Sequence, residues 1–574
     1  MLGEKMVRSI TVLPLLFAAL LLTKSNSFQS SSSKLGRRPI TTKPILRSTQ
    51  ENAVETSSEA IPYAQTEDYD YKAFCAGYFN CEKECCETLE GSVPLDLKGT
   101  YFRNGYGKFE IGTEKQKVIH PFDSDGMVLA AQFADGKVLF RNRFVRTEGY
   151  LKERDAKRVL FRNSFGTQRK GGFLRNMFDL KSKNLANTNV LYRGGALYAL
   201  WEGGLPHRLE ADSLATVAAD TLGGRLSPGG LCTAHPRVDA RTGRAVLFTR
   251  EPSDISRFSV REFNEDMTEH SSREFKVEGT FPFFHDFVVT DNYYIFDLAP
   301  TTFDPVPFLL GFKGPASCIG FDDSAPSKLL LVPRGNPAAP VIQIPVDTHF
   351  NFHYANAYDE GPGCVIFDVV KSTTVALSAS DPDPEVPVWN QIEGIYEDIV
   401  PYSQLERYRL TKTAEEEGGD WRVEKELLSP NLVEFTSVSP EVSCKKHRYV
   451  YGVSSPKLGV ATPFRSVIKV DTETRTQTMW TGEAHEFVGE PIFLPRDNAG
   501  PEEDDGYVVM VLWNGRERVS HLVVFDARDI AKGPVSRLPL PTALPFGLHG
   551  TWAPGLVYDG EAVRARFEAT AEPL

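Results

Sequence analysis

Four histidines sit in four separate contexts: His235 in TAHPRVDARTG, His285 in FPFFHDFVVTDNY, His353 in FNFHYANAYDEG and His549 in FGLHGTW. Gaps of 50, 68 and 196 residues separate them, so no single helix or hairpin can carry the set. If they meet, a closed, roughly symmetric fold must bring them together. An all-imidazole set has no thiolate, which argues against a structural zinc of the Cys-rich kind. Four neutral nitrogens suit a divalent metal that keeps positions open, such as Fe(II). A lone histidine is more often a satisfied core or surface residue than a ligand, and spacing alone leaves both readings open.

The elements that must position such a set are β-type. Beyond Pro62 helical periodicity is scarce, and short strand-like runs alternate with turn signals. GMVLAAQF and KVLFRNRF flank Asp135-Gly136, and VLYR and ALYAL flank Gly194-Gly195. Further turns are expected near Gly243, at Asp291-Asn292 and at Asn514-Gly515. Asn-Gly, Asp-Gly and Gly-Gly supply the positive φ that tight hairpins need. Many short strands over some 500 residues point to an all-β propeller. No crisp repeat is visible, so the residues alone do not give a blade count.

Composition narrows the function. The 574 residues carry a formal net charge of −12 with a pI near 5.6, which disfavours a nucleic-acid phosphate partner. Eight cysteines form no regular framework. Cys75, Cys81, Cys85 and Cys86 cluster without a CxxC pair or a nearby histidine, so ordinary reduced thiols are expected there. EEEGGD at 415–420 and PEEDD at 501–505 read as solvated loops.

Longer strings carry a resemblance. LKGTYFRNGYGKFE, HPFDSDGMVLAAQF, LYALWEGGLPHRLEADSLAT, TAHPRVD, HDFVVTDNYYIFD, NFHYANAYDEG, VEFTSV, RYVYG, GEPIFLPR and LHGTW occur in that order. They resemble the carotenoid cleavage oxygenase family from about Pro62 to the C-terminus. The resemblance implies a seven-bladed β-propeller with a helical and loop cap over a metal on the propeller axis. It implies Fe(2+) held by His235, His285, His353 and His549, one from each of four blades. It also implies a dioxygenase that uses O2 to split a conjugated C=C bond of a carotenoid or apocarotenoid into two carbonyl products. Alternatives on the same scaffold are a polyene isomerase or isomerohydrolase, and a carotenoid-binding propeller without catalysis. Intact His and Glu sets speak against the last. The string FDSDGM has Ser124 where the family usually has Gly, and Tyr106 and Lys108 replace a common Pro-Asn-Pro string. Those departures leave the ligands intact.

By the same resemblance, Glu202 in ALWEGG, Glu434 in LVEFTSV and Glu490 in VGEPIF each orient one histidine, leaving His235 without such a partner. Their apolar flanks support this independently, because an unpaired carboxylate is costly there. Four histidines on an octahedral iron leave two positions, and Thr188 in ANTNVLY is assigned to shield one. Trp201, Phe283, Phe284 and Phe352 flank the ligands and are candidate walls for an apolar polyene. His120 is read as structural, and His349 is set aside in favour of His353.

Two terminal and surface features complete the reading. Lys5 and Arg8 precede a 13-residue, mainly apolar run, Ile10 to Leu22, with small residues at 25–27. That describes a signal peptide over residues 1–27. Residues 28–50 hold five basic residues, eight Ser or Thr and no acid, a transit-peptide composition. Residues 1–60 therefore resemble the bipartite presequence of algae with complex plastids, with secretion as the alternative, and residues 61–574 form the propeller domain. Residues 151–185 belong to the cap. Residues 301–321 carry only Asp304 and Lys313 as charges and are either buried cap or a bilayer contact through 306–313, the reading the family favours.

Overall fold

A computed structural model describes residues 69–375, 386–390, 400–414 and 419–574. Residues 1–60, expected to be a presequence, and residues 415–418 of the acidic stretch lie outside these residues. Seven antiparallel sheets form the blades. Blades two to seven are consecutive in the chain, and their innermost strands are Asn189–Arg193, then Leu231–Cys232 with Arg237–Val238, Val288–Val289, Phe350–Asp359, Glu434–Ser437, and Glu486–Val488 with Ile492–Pro495. Blade one is composite. The late strand Gly547–Pro554 pairs with Gly99–Lys108, which continues to Asp125–Ala134, Lys137–Phe144 and outermost Cys85–Thr88. The last blade strand thus closes the ring on the first.

Each sheet is packed on both faces, so central strands are buried almost throughout. Gly506–Asn514 is buried at all nine positions, whereas the outer strand Glu269–Lys276 is mostly exposed. Every pair of neighbouring blades encloses its own apolar cluster. Tyr101, Phe133 and Phe140 of blade one meet Tyr507, Val509 and Val524 of blade seven. Phe248 and Phe258 of blade three meet Phe287 and Phe296 of blade four. Burial of such area is the main favourable term in folding.

Turn chemistry follows the sequence in part. Asp135 (φ 50) with Gly136 (φ 71), and Gly194 (φ 58) with Gly195 (φ 72), make the expected two-residue hairpins. At Asn514-Gly515 the strands instead connect through residues 515–518, and Arg518 carries the positive φ. Gly515 is required for another reason: a Cβ there would lie 2.1 Å from the Ala73 carbonyl oxygen. That carbonyl also accepts the Trp513 indole N–H at 3.0 Å, docking the helix Tyr71–Cys75 against blade seven.

The helices are few and short. Glu148–Ala156, capped by Thr147, and Gly172–Asn176 lie in the insertion between blades one and two. Lys183, fully buried in that insertion, binds Asp125 at 2.8 Å and Glu153 at 2.6 Å. Residues 301–321 form a strand pair, Thr301–Phe303 with Ile319–Phe321, around the turn of helix Val306–Leu309. No helix among the described residues is long and apolar enough to cross a membrane.

Candidate metal centre and active site

The four histidines converge on the propeller axis, with ligand-capable atoms all within 4.8 Å of one another. His549 comes from blade one, His235 from between the two inner strands of blade three, His285 from the approach to blade four, and His353 from the inner strand of blade five. The other three blades supply carboxylates. Glu202 of blade two lies 2.7 Å from His285 Nδ1. Glu434 of blade six lies 2.6 Å from His353 Nδ1, and Glu490 of blade seven 2.7 Å from His549 Nδ1. With each Nδ1 facing a carboxylate, each Nε2 is left to face the axis. The expected pairing, with none for His235, is the arrangement found. His235 is held through its backbone N–H, donated to Thr233 Oγ1 at 3.0 Å, and its Nε2 lies 2.9 Å from His285 Nε2.

Burial among the other imidazoles holds His235 and His549 well below the usual imidazole range, so both offer neutral nitrogens. For His285, burial acts the same way, but the Glu202 carboxylate outweighs it and raises the ring. Burial would raise Glu434, but His353 and the Phe435 N–H outweigh it and lower the carboxyl. Burial pushes Glu490 up to about 8, opposed by the Gly550 N–H and by the nearby charges of His353 and Arg103. His353 Nε2 is buried without a hydrogen-bond partner. A buried orphan nitrogen beside three others is costly, and a divalent cation would satisfy all four. The donor set therefore fits the metal that the sequence implies.

A further pair ties the ligand-bearing strands together. Arg237, two residues after His235, donates to Asp286, to Phe287 O at 2.8 Å and to Tyr354 O at 3.0 Å. Asp286 also accepts the Tyr354 N–H at 2.9 Å. One ion pair thus joins blades three, four and five immediately beside His235, His285 and His353. Sequence reading missed it, although Asp286 lies in the same kind of apolar stretch that singled out the glutamates.

Two cavities meet at the tetrad. One, of about 280 Å³, is walled by Phe122, Phe165, Trp201, Phe283, Phe352 and Phe435. Thr188 lines it too, and its carbonyl accepts the His549 N–H at 3.1 Å. The other, of about 860 Å³, is more polar; it runs from exposed Gly195 and Asp266 past Arg237 and Asp286 to His235, His353 and His549. Of the four candidate wall aromatics, Trp201, Phe283 and Phe352 line the apolar cavity, and Phe284 does not. Phe284 packs in the cluster between blades three and four, with ring centroids 5.0 Å from both Phe258 and Phe296. Side chains alternate in extended chain, so His285 and Phe283 share one side and Phe284 takes the other. His349 lies outside the cluster, fully buried against Asp297. His120, read as structural, is on the cavity wall. The four clustered cysteines are free thiols, two of them buried.

Replacing His235, His285, His353 or His549 with Ala should remove stoichiometric metal, read by elemental analysis of the purified protein. Replacing Glu202, Glu434 or Glu490 with Gln should weaken metal binding by about 10–100-fold with the melting temperature nearly kept. Wild-type affinity in all three would overturn the carboxylate roles.

Comparison with known proteins agrees with this geometry. The family model "Retinal pigment epithelial membrane protein" matches residues 78–554. The apocarotenoid-15,15'-oxygenase of Synechocystis sp. is 38% identical over 475 residues, covering 81% of this chain and 92% of the relative. The chloroplastic carotenoid cleavage dioxygenase 7 of Arabidopsis thaliana is 27% identical, covering 81% and 87%. The crystal structure of cobalt-substituted apocarotenoid oxygenase from Synechocystis superposes with a TM-score of 0.78 at 36% identity, covering 85% of this chain and all of that one. Seven blades, the His tetrad and these relatives together make the chain an oxygenase and a member of the retinal pigment epithelial membrane protein family of carotenoid oxygenases.

Proposed function

We propose that the protein is a non-haem Fe(II) dioxygenase that cleaves a conjugated C=C bond of a carotenoid or apocarotenoid to give two carbonyl products. The observation that carries this reading is the meeting of a four-imidazole cluster with an aromatic-walled cavity. Iron, held by His235, His285, His353 and His549, supplies the redox chemistry that activates O2. The chain's own contribution is placement. Trp201, Phe283 and Phe352 offer flat apolar faces to a polyene and keep water from it. Glu202, Glu434 and Glu490 fix the imidazole planes, and Thr188, on the cavity wall, would shield one position beside a bound metal. Similarity to the Synechocystis apocarotenoid oxygenase supports the substrate class.

We also propose that the enzyme meets its substrate at a bilayer. Among the described residues, five of the eleven exposed large apolar side chains belong to two adjoining cap segments: Phe173, Leu174 and Phe178, with Val306 and Phe312. The Phe173 and Phe312 rings stack at 5.2 Å, and the Phe178 N–H donates to Leu309 O at 2.9 Å. Arg175 and Lys313 are exposed beside them and suit anionic head groups. The structure corrects the sequence reading of 306–313 in one respect. Phe308 is 4% exposed and packs under the Arg162 guanidinium at 4.5 Å, so it is core. The insertion at 172–178 takes its place in the patch. For location we propose a plastid reached through residues 1–60, on their composition.

With 18O2, both carbonyl products should carry label; an isomerised polyene without new oxygen would sink the dioxygenase reading. Changing Leu174, Phe178 and Phe312 to Ser should lower liposome binding at least about tenfold, since each such side chain contributes on the order of 1–3 kcal/mol of burial. Metal content and melting temperature should hold, because all three are exposed. Unchanged liposome binding would remove the patch. Residues 1–60 fused to a fluorescent protein should reach the plastid of an alga with complex plastids, and appearance in the medium would favour secretion instead.

A further inference from the structure

The polar groups on the wall of the aromatic cavity are nearly all spent on the protein itself. Ser403 Oγ donates to Val433 O at 3.0 Å, and Ser372 Oγ donates to Thr374 O at 2.8 Å. Thr188 Oγ1 donates to Asn187 Oδ1 at 3.2 Å. The Asn187 amide donates to Phe122 O at 3.1 Å and Ser124 O at 2.8 Å. Glu202 and Glu434 are committed to histidines. Among the described residues, no lysine or arginine lines the cavity. Among the described residues, two side-chain donors there have no protein acceptor: an N–H of His120 and the indole N–H of Trp201.

His120 is the better defined of the two. Its Nδ1 accepts the Phe122 N–H at 3.2 Å, which fixes the tautomer with the proton on Nε2. Its ring is stacked on Phe165, with centroids 4.8 Å apart and planes 22° from parallel, and tilted against Phe122 at 4.8 Å. The ring is therefore held in one plane on the cavity wall. Burial lowers its pKa to about 3, so it stays a neutral donor through the physiological range. A neutral N–H in an apolar cavity favours a neutral acceptor. A carboxylate would meet no lysine or arginine among the described lining residues and would lie near Glu202 and Glu434, which is costly.

We propose that His120 is a specificity-determining residue whose Nε2–H binds a neutral oxygen, a hydroxyl or a carbonyl, borne by the polyene substrate. The proposal deepens the polyene-cleavage reading and rests on it. The enzyme then prefers oxygen-bearing polyenes to pure hydrocarbons, because a hydrocarbon that fills the cavity covers this half-buried donor and leaves it unpaired. A polyene acid of the same length is disfavoured for the opposite reason.

The test uses the metal-loaded enzyme and three conjugated polyenes of equal length that end in a hydroxyl or aldehyde, a hydrocarbon ring, or a carboxylate. Binding is read by quenching of tryptophan fluorescence and turnover by product formation. The oxygenated neutral polyene should bind about 5- to 100-fold more tightly than the hydrocarbon, with the difference in KM more than in kcat. His120→Phe should bring that ratio close to one, and His120→Gln, which keeps an N–H donor and an acceptor, should restore part of it. A wild-type ratio near one overturns the proposal whatever the variants do. So does a His120→Phe protein that loses both polyenes equally, or a ratio that collapses in Trp201→Phe and survives in His120→Phe. If no polyene is turned over, the dioxygenase reading fails, and the binding ratios still decide the role of His120.

Discussion

The pairing of Gly547–Pro554 with Gly99–Lys108 is the interaction on which the rest depends. It joins residues more than 400 positions apart, and closing a chain of that length costs on the order of 5 kcal/mol in entropy. A ladder of this length, with the apolar cluster between blades one and seven, offsets that cost. The closing strand also carries His549. Ring closure and completion of the metal centre are therefore one event: an open ring would have three ligands and a carboxylate, Glu490, with nothing to hold.

Once the ring is closed, its symmetry sets an electrostatic problem. The inner strands of seven blades crowd polar groups around a narrow axis whose flanks are sealed by the interblade clusters. The solution divides the labour among blades, with imidazoles from four and carboxylates from three. His235, which has no carboxylate, is the exception that the Arg237–Asp286 pair answers. That pair fixes the backbone around His235 rather than its ring, and it does so by binding the strands that bear its two neighbours. Geometry at the tetrad is thus over-determined from outside the ring of histidines.

The sequence made part of this legible. The tetrad and its glutamates could be read because each sits in a distinctive apolar string, and the physical argument about buried carboxylates agreed with the resemblance. Blade number could not be read from periodicity, since central strands are buried on both faces and lose the alternation that marks a half-exposed sheet. Phe284 was misplaced although the signal was available: with His285 facing the axis, period-two alternation sends Phe284 to the core. Phe308 was misplaced because a one-turn helix with Pro at its start buries one side chain and exposes its neighbours, which a count of apolar residues does not resolve. Gly515 was assigned to a tight turn, and its real constraint, the Ala73 carbonyl, lies some 440 residues away in the chain and is invisible locally.

The two sides of the tetrad differ in a way that follows from the fold. On one side, the insertion at 145–187 folds over the axis and contributes Phe165 to an aromatic wall. On the other, hairpin turns such as Gly194-Gly195 leave the axis lined by backbone and by polar groups, among them Arg237 and Asp286. A propeller has no hydrophobic reason to fill its own axis, because its apolar area is already buried between blades. The axis is therefore free to be polar where it meets water and apolar where the insertion covers it. The metal centre lies at that boundary, between a polar mouth that runs to Gly195 and Asp266 and an aromatic wall to which the insertion adds Phe165 while the blades supply Trp201, Phe283, Phe352 and Phe435.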